Sequence, residues 1–270
     1  MKQLLVTKRT LLALPIAVAV AALLHAQATD TYKPVVGQAG KDVVWVPTPQ
    51  ELVDTMLDMA KVTPQDLVMD LGSGDGRTVI TAAKRGAIAM GVEYNPEMVE
   101  LSKSNAVSER VTEKASFVQA DLFTVDLSKA SVITMFLLPT INLKLRPSLL
   151  DLKPGTRIVS NTFDMAEWEP DERKVIGPDG CTSWCTAHLW IVPAQVQGTW
   201  QVGQNALTLT QKFQKVEGTL GSTAITGGKL RGDEITFSAG GTKYTGKVNG
   251  NSISGTMSGG SSGSWSATKK

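Results

Sequence analysis

A chain of 270 residues has room for one full-sized α/β domain and something smaller, at about 150 residues per domain, and its composition is that of an ordinary globular protein. The formal charge of +2 becomes −1 once the three basic residues of the first 28 are set aside, because that stretch holds no acid. Charge therefore makes no case for a nucleic acid or an anionic lipid surface as partner.

In chain order, Lys2, Lys8 and Arg9 precede an apolar run from Leu11 to Leu24 and the small-x-small site Ala26-Gln27-Ala28. This is the pattern of a secretory signal peptide, cleaved after Ala28. The run is short of the roughly 20 residues of a spanning helix, so the expectation is an exported, periplasmic or envelope-associated protein with no stable membrane span. Residues 29–45 read as a polar, extended approach segment. "VPTPQELVDTMLDMAKV" then opens a helix, with Thr48 as N-cap, Pro49 at its first position and Glu51 closing a capping box.

From there, short apolar runs alternate with helical patterns. The runs stand at residues 66–71, 87–93, 116–121, 130–138, 156–163 and 187–194, and Asn95-Pro96 opens one of the intervening helices. The alternation predicts βαβ units around a buried parallel sheet, a Rossmann-like doubly wound domain over residues 46–196. After it the texture changes: 15 of the 25 glycines fall between Gly198 and the end. Short β-prone segments separated by Gly, Asn and Asp turns predict an all-β domain over residues 197–270, as an antiparallel meander, sandwich or small barrel. Trp265 marks a last strand within the Gly/Ser-rich tail.

The chemistry concentrates in "VMDLGSGDGRTV", residues 68–79. A Gly-x-Gly-x-Gly turn between strand and helix lets backbone approach a ligand closely and aims helix N-terminal amides at a negative group. A dinucleotide fingerprint needs its third glycine at 77, where Arg77 stands. Asp70, two before the first glycine, would repel a pyrophosphate and suits a ligand that carries an ammonium group. S-adenosylmethionine has that group, together with a carboxylate and a ribose diol.

The motif resembles the first motif of class I S-adenosylmethionine-dependent methyltransferases, and the resemblance implies their seven-stranded sheet. By it, Asp70, Gly72, Ser73 and Gly74 line the methionine end, Glu93 at the end of the next strand accepts the ribose hydroxyls, and Asp121 meets the adenine amino group with Ala120 and Leu122 beside the ring. For Asp75 and Asp126 a solvated or capping role is the better reading. The segments "WVPTPQELVDTML", "GVEYNPEMV", "FLLPTINLKLRPSLL" and "FDMAEWEPDE" are further similar to a small group that includes mitochondrial protein-lysine methyltransferases and bacterial relatives. The group implies a protein substrate, membrane proteins among them, with lysine as an acceptor, and makes Val46, Pro47 and Thr48 pocket candidates.

In-line methyl transfer from a sulfonium needs donor and acceptor held in near-attack geometry, and neither a metal nor a covalent nucleophile. The acceptor belongs beyond the fourth strand, where Thr140, Asn142 and Asp164 are the catalytic candidates. Trp168 and Trp190 are candidates for an aromatic acceptor channel or for core packing. Cys181 and Cys185, with His188, read as a local disulfide first, then as free thiols or a metal cluster. Two competing readings stand beside the methyltransferase. One is an exported binding protein that keeps the pocket without turnover and works through its β domain, which weakly resembles avidin-like or lipocalin-like barrels. The other, an NAD-dependent oxidoreductase, is disfavoured by Arg77 and Asp70.

Overall fold

The structure is a computed structural model and describes residues 32–177 and 179–270. The predicted signal peptide lies outside the described residues. Helix α1 (Gln50–Met59) buries Leu52, Val53, Met56 and Leu57, the stripe its 3.6-residue period predicts. Its start differs from expectation: Pro49 takes the N-cap position and no side chain caps the helix. Thr48 instead turns its hydroxyl inward, where it accepts from Asn161 Nδ2 at 3.3 Å.

A seven-stranded sheet follows, made of β1 (Leu67–Leu71), β2 (Ile88–Glu93), β3 (Ala115–Gln119), β4 (Val132–Met135), β5 (Arg157–Asn161), β6 (Glu172–Val175) and β7 (Thr186–Ile191). Its order is β3-β2-β1-β4-β5-β7-β6. All pairs from β3 to β5 are parallel, and β7 runs antiparallel to both β5 and β6. The helices α2 (Arg77–Lys84) and α3 (Pro96–Ser108) bury residues with α1 in one core, whereas α4 (Pro139–Leu150) belongs to the other. Covering both faces explains why the central strands read as near-continuous apolar runs. Asn95 caps α3 as its sequence predicts, accepting from the amides of Glu97 and Met98.

Register brings the first acid into place. Asp70 sits opposite Gly91 on β2 and Thr134 on β4, at the carboxyl end of the parallel strands. The order reverses beside β1, and ligands of open α/β sheets bind in the crevice at such a reversal. The run predicted at 130–138 yields only four strand residues, because Phe136, Leu137 and Leu138 leave the sheet and line the crevice before α4 begins.

The Gly-rich region forms β8 (Gly198–Val202), β9 (Asn205–Lys212), β10 (Lys215–Leu220), the two-residue β11 (Thr223–Ala224), β12 (Thr226–Arg231), β13 (Glu234–Ala239), β14 (Thr242–Asn249), β15 (Ser252–Gly259) and β16 (Gly263–Lys269). Eight of these pair antiparallel with their sequence neighbours, and β16 pairs with β8 to close the ring, with β11 as a spur on β10. The result is an up-and-down barrel, which removes open edges. Trp200, Phe237, Trp265, Leu207, Leu230 and Ile253 are buried in its core, as expected where eight strands enclose little more than side chains. Phe213 stacks on Trp168 at 6.0 Å, Arg146 lies over Phe213, and Lys229 reaches Asp171 at 3.4 Å, so the barrel is docked against the sheet domain.

Candidate active site

One crevice is lined by Asp70, Gly72, Ser73, Gly74, Glu93, Asp121 and Leu122 together. Residues more than 50 apart in sequence meet there because each stands at or just past the end of a parallel strand, and those ends lie on the same side. Gly74 has φ +54°, and a Cβ added there would lie 2.7 Å from Trp45 Nε1, so the loop needs glycine both for its conformation and for its neighbour. Gly76, also left-handed, leads into α2, and its missing Cβ makes room for Phe117 and Ser102. It allows the close helix-strand packing that a third dinucleotide glycine would provide one position later.

Asp70 is buried and accepts a 2.7 Å hydrogen bond from Thr134 Oγ1. Burial pushes its carboxyl up to about 7, and the nearby charges of Asp75 and Glu93 push the same way. Ser73 Oγ, packed against Gly91, is buried without a hydrogen-bond partner. Glu93 accepts from the amides of Gly74 (3.0 Å), Tyr94 (2.9 Å) and Asn95 (2.9 Å), tying the glycine loop to the end of β2. Those bonds occupy three of about four acceptor sites on a carboxylate, so a diol would have to exchange with an amide to bind twice.

The approach segment folds over this floor. Gly37 donates to the Trp45 carbonyl, the Trp45 amide donates to Gln38, and Gly40 donates to Val43, making a tight hairpin-like turn. Lys41 at its tip meets Asp121 Oδ2 at 2.6 Å and lies 4.7 Å from the centre of the Tyr94 ring. The Lys41 ammonium holds the Asp121 carboxyl below the usual carboxylate range. Arg77, the residue that breaks the dinucleotide pattern, pairs with Asp75 and donates to the Thr48 carbonyl at 2.8 Å, anchoring the chain just after the segment. Val46, Pro47 and Thr48 all line the crevice.

The three catalytic candidates do not line it. Thr140 is exposed on the first turn of α4, and Asp164 is exposed and accepts from the Ala166 amide. Asn142 is fully buried and donates to the carbonyls of Phe163 and Asp164, so it holds backbone. Trp168 and Trp190 are core residues rather than a channel: both are fully buried, and Trp190 Nε1 donates to the Trp168 carbonyl at 2.7 Å.

Sequence reasoning missed three of the aromatic side chains that line the crevice, Phe136, Phe163 and Trp184. They follow β4, follow β5 and precede β7, and no spacing rule links them. Cys181 and Cys185 form a disulfide around the loop that carries Trp184. His188 lies apart on β7, its Nε2 3.1 Å from the Thr162 carbonyl, and no metal-binding group of side chains occurs among the described residues.

Comparison with known proteins agrees with this geometry. The model of the ANTKMT methyltransferase domain matches residues 70–172. A protein-lysine N-methyltransferase of Saccharolobus islandicus (strain REY15A) is 48% identical over 133 residues, which cover 48% of this chain and 83% of that protein. The adenine nucleotide translocase lysine N-methyltransferase of Mus musculus is 34% identical over 120 residues, 44% of this chain, which spans only 52% of that relative's length. Among solved structures, an RNA methyltransferase from Salinibacter ruber in complex with S-adenosyl-L-homocysteine is 43% identical, covered to 96% of its length by 56% of this chain, with a TM-score of 0.51.

Proposed function

Because this chain belongs to the class I S-adenosylmethionine-dependent methyltransferases, in the family that carries the ANTKMT methyltransferase domain, we propose that it methylates a lysine side chain of a protein. The acceptor reading is supported by the names of two relatives, both lysine methyltransferases, and by the acidity of the crevice. Its lining holds five carboxylates against two cations, Lys41 and Arg77, and both cations are paired with acids, which opposes the phosphates of a nucleic acid.

The observation that carries the donor assignment is Asp70, a buried carboxyl with no cation beside it among the described residues. An ammonium placed there would restore its charged form. Ser73 Oγ, buried and unpartnered, would take the donor's carboxylate, with Gly72 and Gly74 leaving space for the chain between. Glu93 would take the ribose, and Asp121 and Leu122 the adenine. When bound, S-adenosylmethionine supplies a methyl group already made electrophilic by a sulfonium. The protein's own work is then to orient, to exclude water and to receive a deprotonated amine. Lys41 holds the tip of the approach segment's turn and Arg77 holds Thr48 just after the segment, so Trp45 between them stays over the glycine loop.

We also propose that the protein is exported. Residues 1–28 carry the pattern of a signal peptide, and the Cys181–Cys185 disulfide fits an oxidising compartment. Calorimetry with S-adenosylmethionine and S-adenosylhomocysteine, on wild type and on Asp70→Ala and Glu93→Ala, tests the donor site. Unchanged binding by both variants refutes the residue assignment. A fusion of residues 1–40 to a reporter active only outside the cytoplasm tests export, and a silent reporter refutes it.

A further inference from the structure

The crevice spans the sheet, with Asp121 following β3 at one end and Phe163 following β5 at the other, four strand spacings or roughly 19 Å apart. At the β5 end the wall is aromatic. Phe163 and Trp184 have ring centroids 5.4 Å apart, and Phe136 lies 6.1 Å from each of them. Trp184 is 43% exposed and has φ +61°, a left-handed conformation rare for a bulky residue. The disulfide holds it there by closing the three-residue turn Thr182, Ser183 and Trp184. Cys181 is buried in the core beneath α1, and the Cys185 carbonyl accepts from the Ile176 amide, so both ends of the turn are fixed. Phe163 is fixed from behind, because its carbonyl accepts from Asn142 Nδ2 and from Ser160 Oγ.

We propose that Phe136, Phe163 and Trp184 form the acceptor subsite, which receives the aliphatic stem and amine of a lysine, and that the Cys181–Cys185 disulfide is the device that positions Trp184. This rests on the methyltransferase reading above. An apolar wall favours the neutral amine that must attack. As the nitrogen lone pair forms the new N–C bond, the methyl–sulfur bond breaks, its electron pair leaves with sulfur, and positive charge arrives on nitrogen. The three rings pack the stem and hold the amine in place without supplying a rival nucleophile. The methylated ammonium then loses its proton to water. Trp184 is thus an acceptor-binding residue, and the disulfide positions it; its loss weakens the acceptor and leaves the donor alone.

The test measures binding of a glycine-spaced decapeptide with one lysine to the oxidised protein loaded with S-adenosylhomocysteine, and of a single-stranded RNA decamer in parallel. Trp184→Ala should weaken the peptide at least tenfold and raise its KM with kcat little changed, Trp184→Phe should recover most of the loss, and neither should alter S-adenosylhomocysteine affinity. Reducing the disulfide should mimic Trp184→Ala. Peptide affinity within twofold of wild type in Trp184→Ala overturns the subsite, and unchanged affinity on reduction overturns the role of the disulfide. Preference for the RNA decamer with competition by it overturns the choice of acceptor. If wild type methylates lysine but Trp184→Ala does so equally, the inference fails and the proposed function stands. If wild type binds the donor but methylates no lysine, both fail.

Discussion

Replacing Asp70 by Asn separates what this carboxyl does for the ligand from what it costs the empty protein. Burial moves it from an ordinary 3.8 to about 7, and at 1.36 kcal/mol per tenfold change this corresponds to about 4 kcal/mol. The sign follows from proton uptake. Between those two values the unfolded chain has released the proton and the folded chain keeps it, so stability falls as pH rises through the interval and stays low above about 7. Asn keeps the side-chain oxygen for Thr134 and carries no charge. Asp70→Asn should therefore be more stable than wild type by about 2 kcal/mol at pH 5 and about 4 kcal/mol at pH 8, read by urea denaturation without ligand. The same variant should bind S-adenosylhomocysteine ten- to hundredfold more weakly, the effect of losing one charged hydrogen-bond partner worth about 1.5–3 kcal/mol. Wild-type affinity should fall as pH drops below about 7, and the variant's should not. A variant less stable than wild type at pH 8, or one that binds the ligand unchanged, refutes the reasoning.

Other consequences follow from single contacts. Gly74→Ala forces a Cβ to within 2.7 Å of the Trp45 indole in a left-handed backbone, so it should weaken S-adenosylhomocysteine at least tenfold and shift the tryptophan emission, both read in one fluorescence titration. Phe213→Ala removes the ring stacked between Trp168 and Arg146; for a part-buried ring the loss is about 2 kcal/mol, and calorimetry should show the barrel and the sheet domain melting further apart. Reduction of Cys181–Cys185 opens a short loop of sequence separation four, so it should cost about 2 kcal/mol of stability on the chain-entropy estimate, measured by thermal melting with and without reductant.

The parts of the fold that were legible in the sequence are those where one local pattern maps onto one structure. Buried parallel strands read as apolar runs, and an acid at the end of each of the first three marks the crevice. β6 was not legible, because Glu172-Arg173-Lys174-Val175 is an exposed edge strand with no apolar face to advertise it. The capping box at Thr48 failed because a tertiary partner, Asn161, competes for the hydroxyl. Barrel and sandwich remained open because closure depends on the β16–β8 ladder, two residue pairs at Thr268 and Lys269. The donor end was readable as a contiguous loop with regularly spaced acids. The aromatic end was not, since Phe136, Phe163 and Trp184 come from three elements and meet only in the folded chain, while the tryptophans that stood out, Trp168 and Trp190, pack the core.

The most direct test of the account is transfer of labelled methyl from S-adenosylmethionine by the purified, oxidised protein into a membrane-protein extract, with modified residues located by mass spectrometry. The account predicts label on lysine side chains in wild type and its loss in Asp70→Ala. Label confined to nucleic acid, or no transfer by a protein that binds S-adenosylhomocysteine, would contradict it.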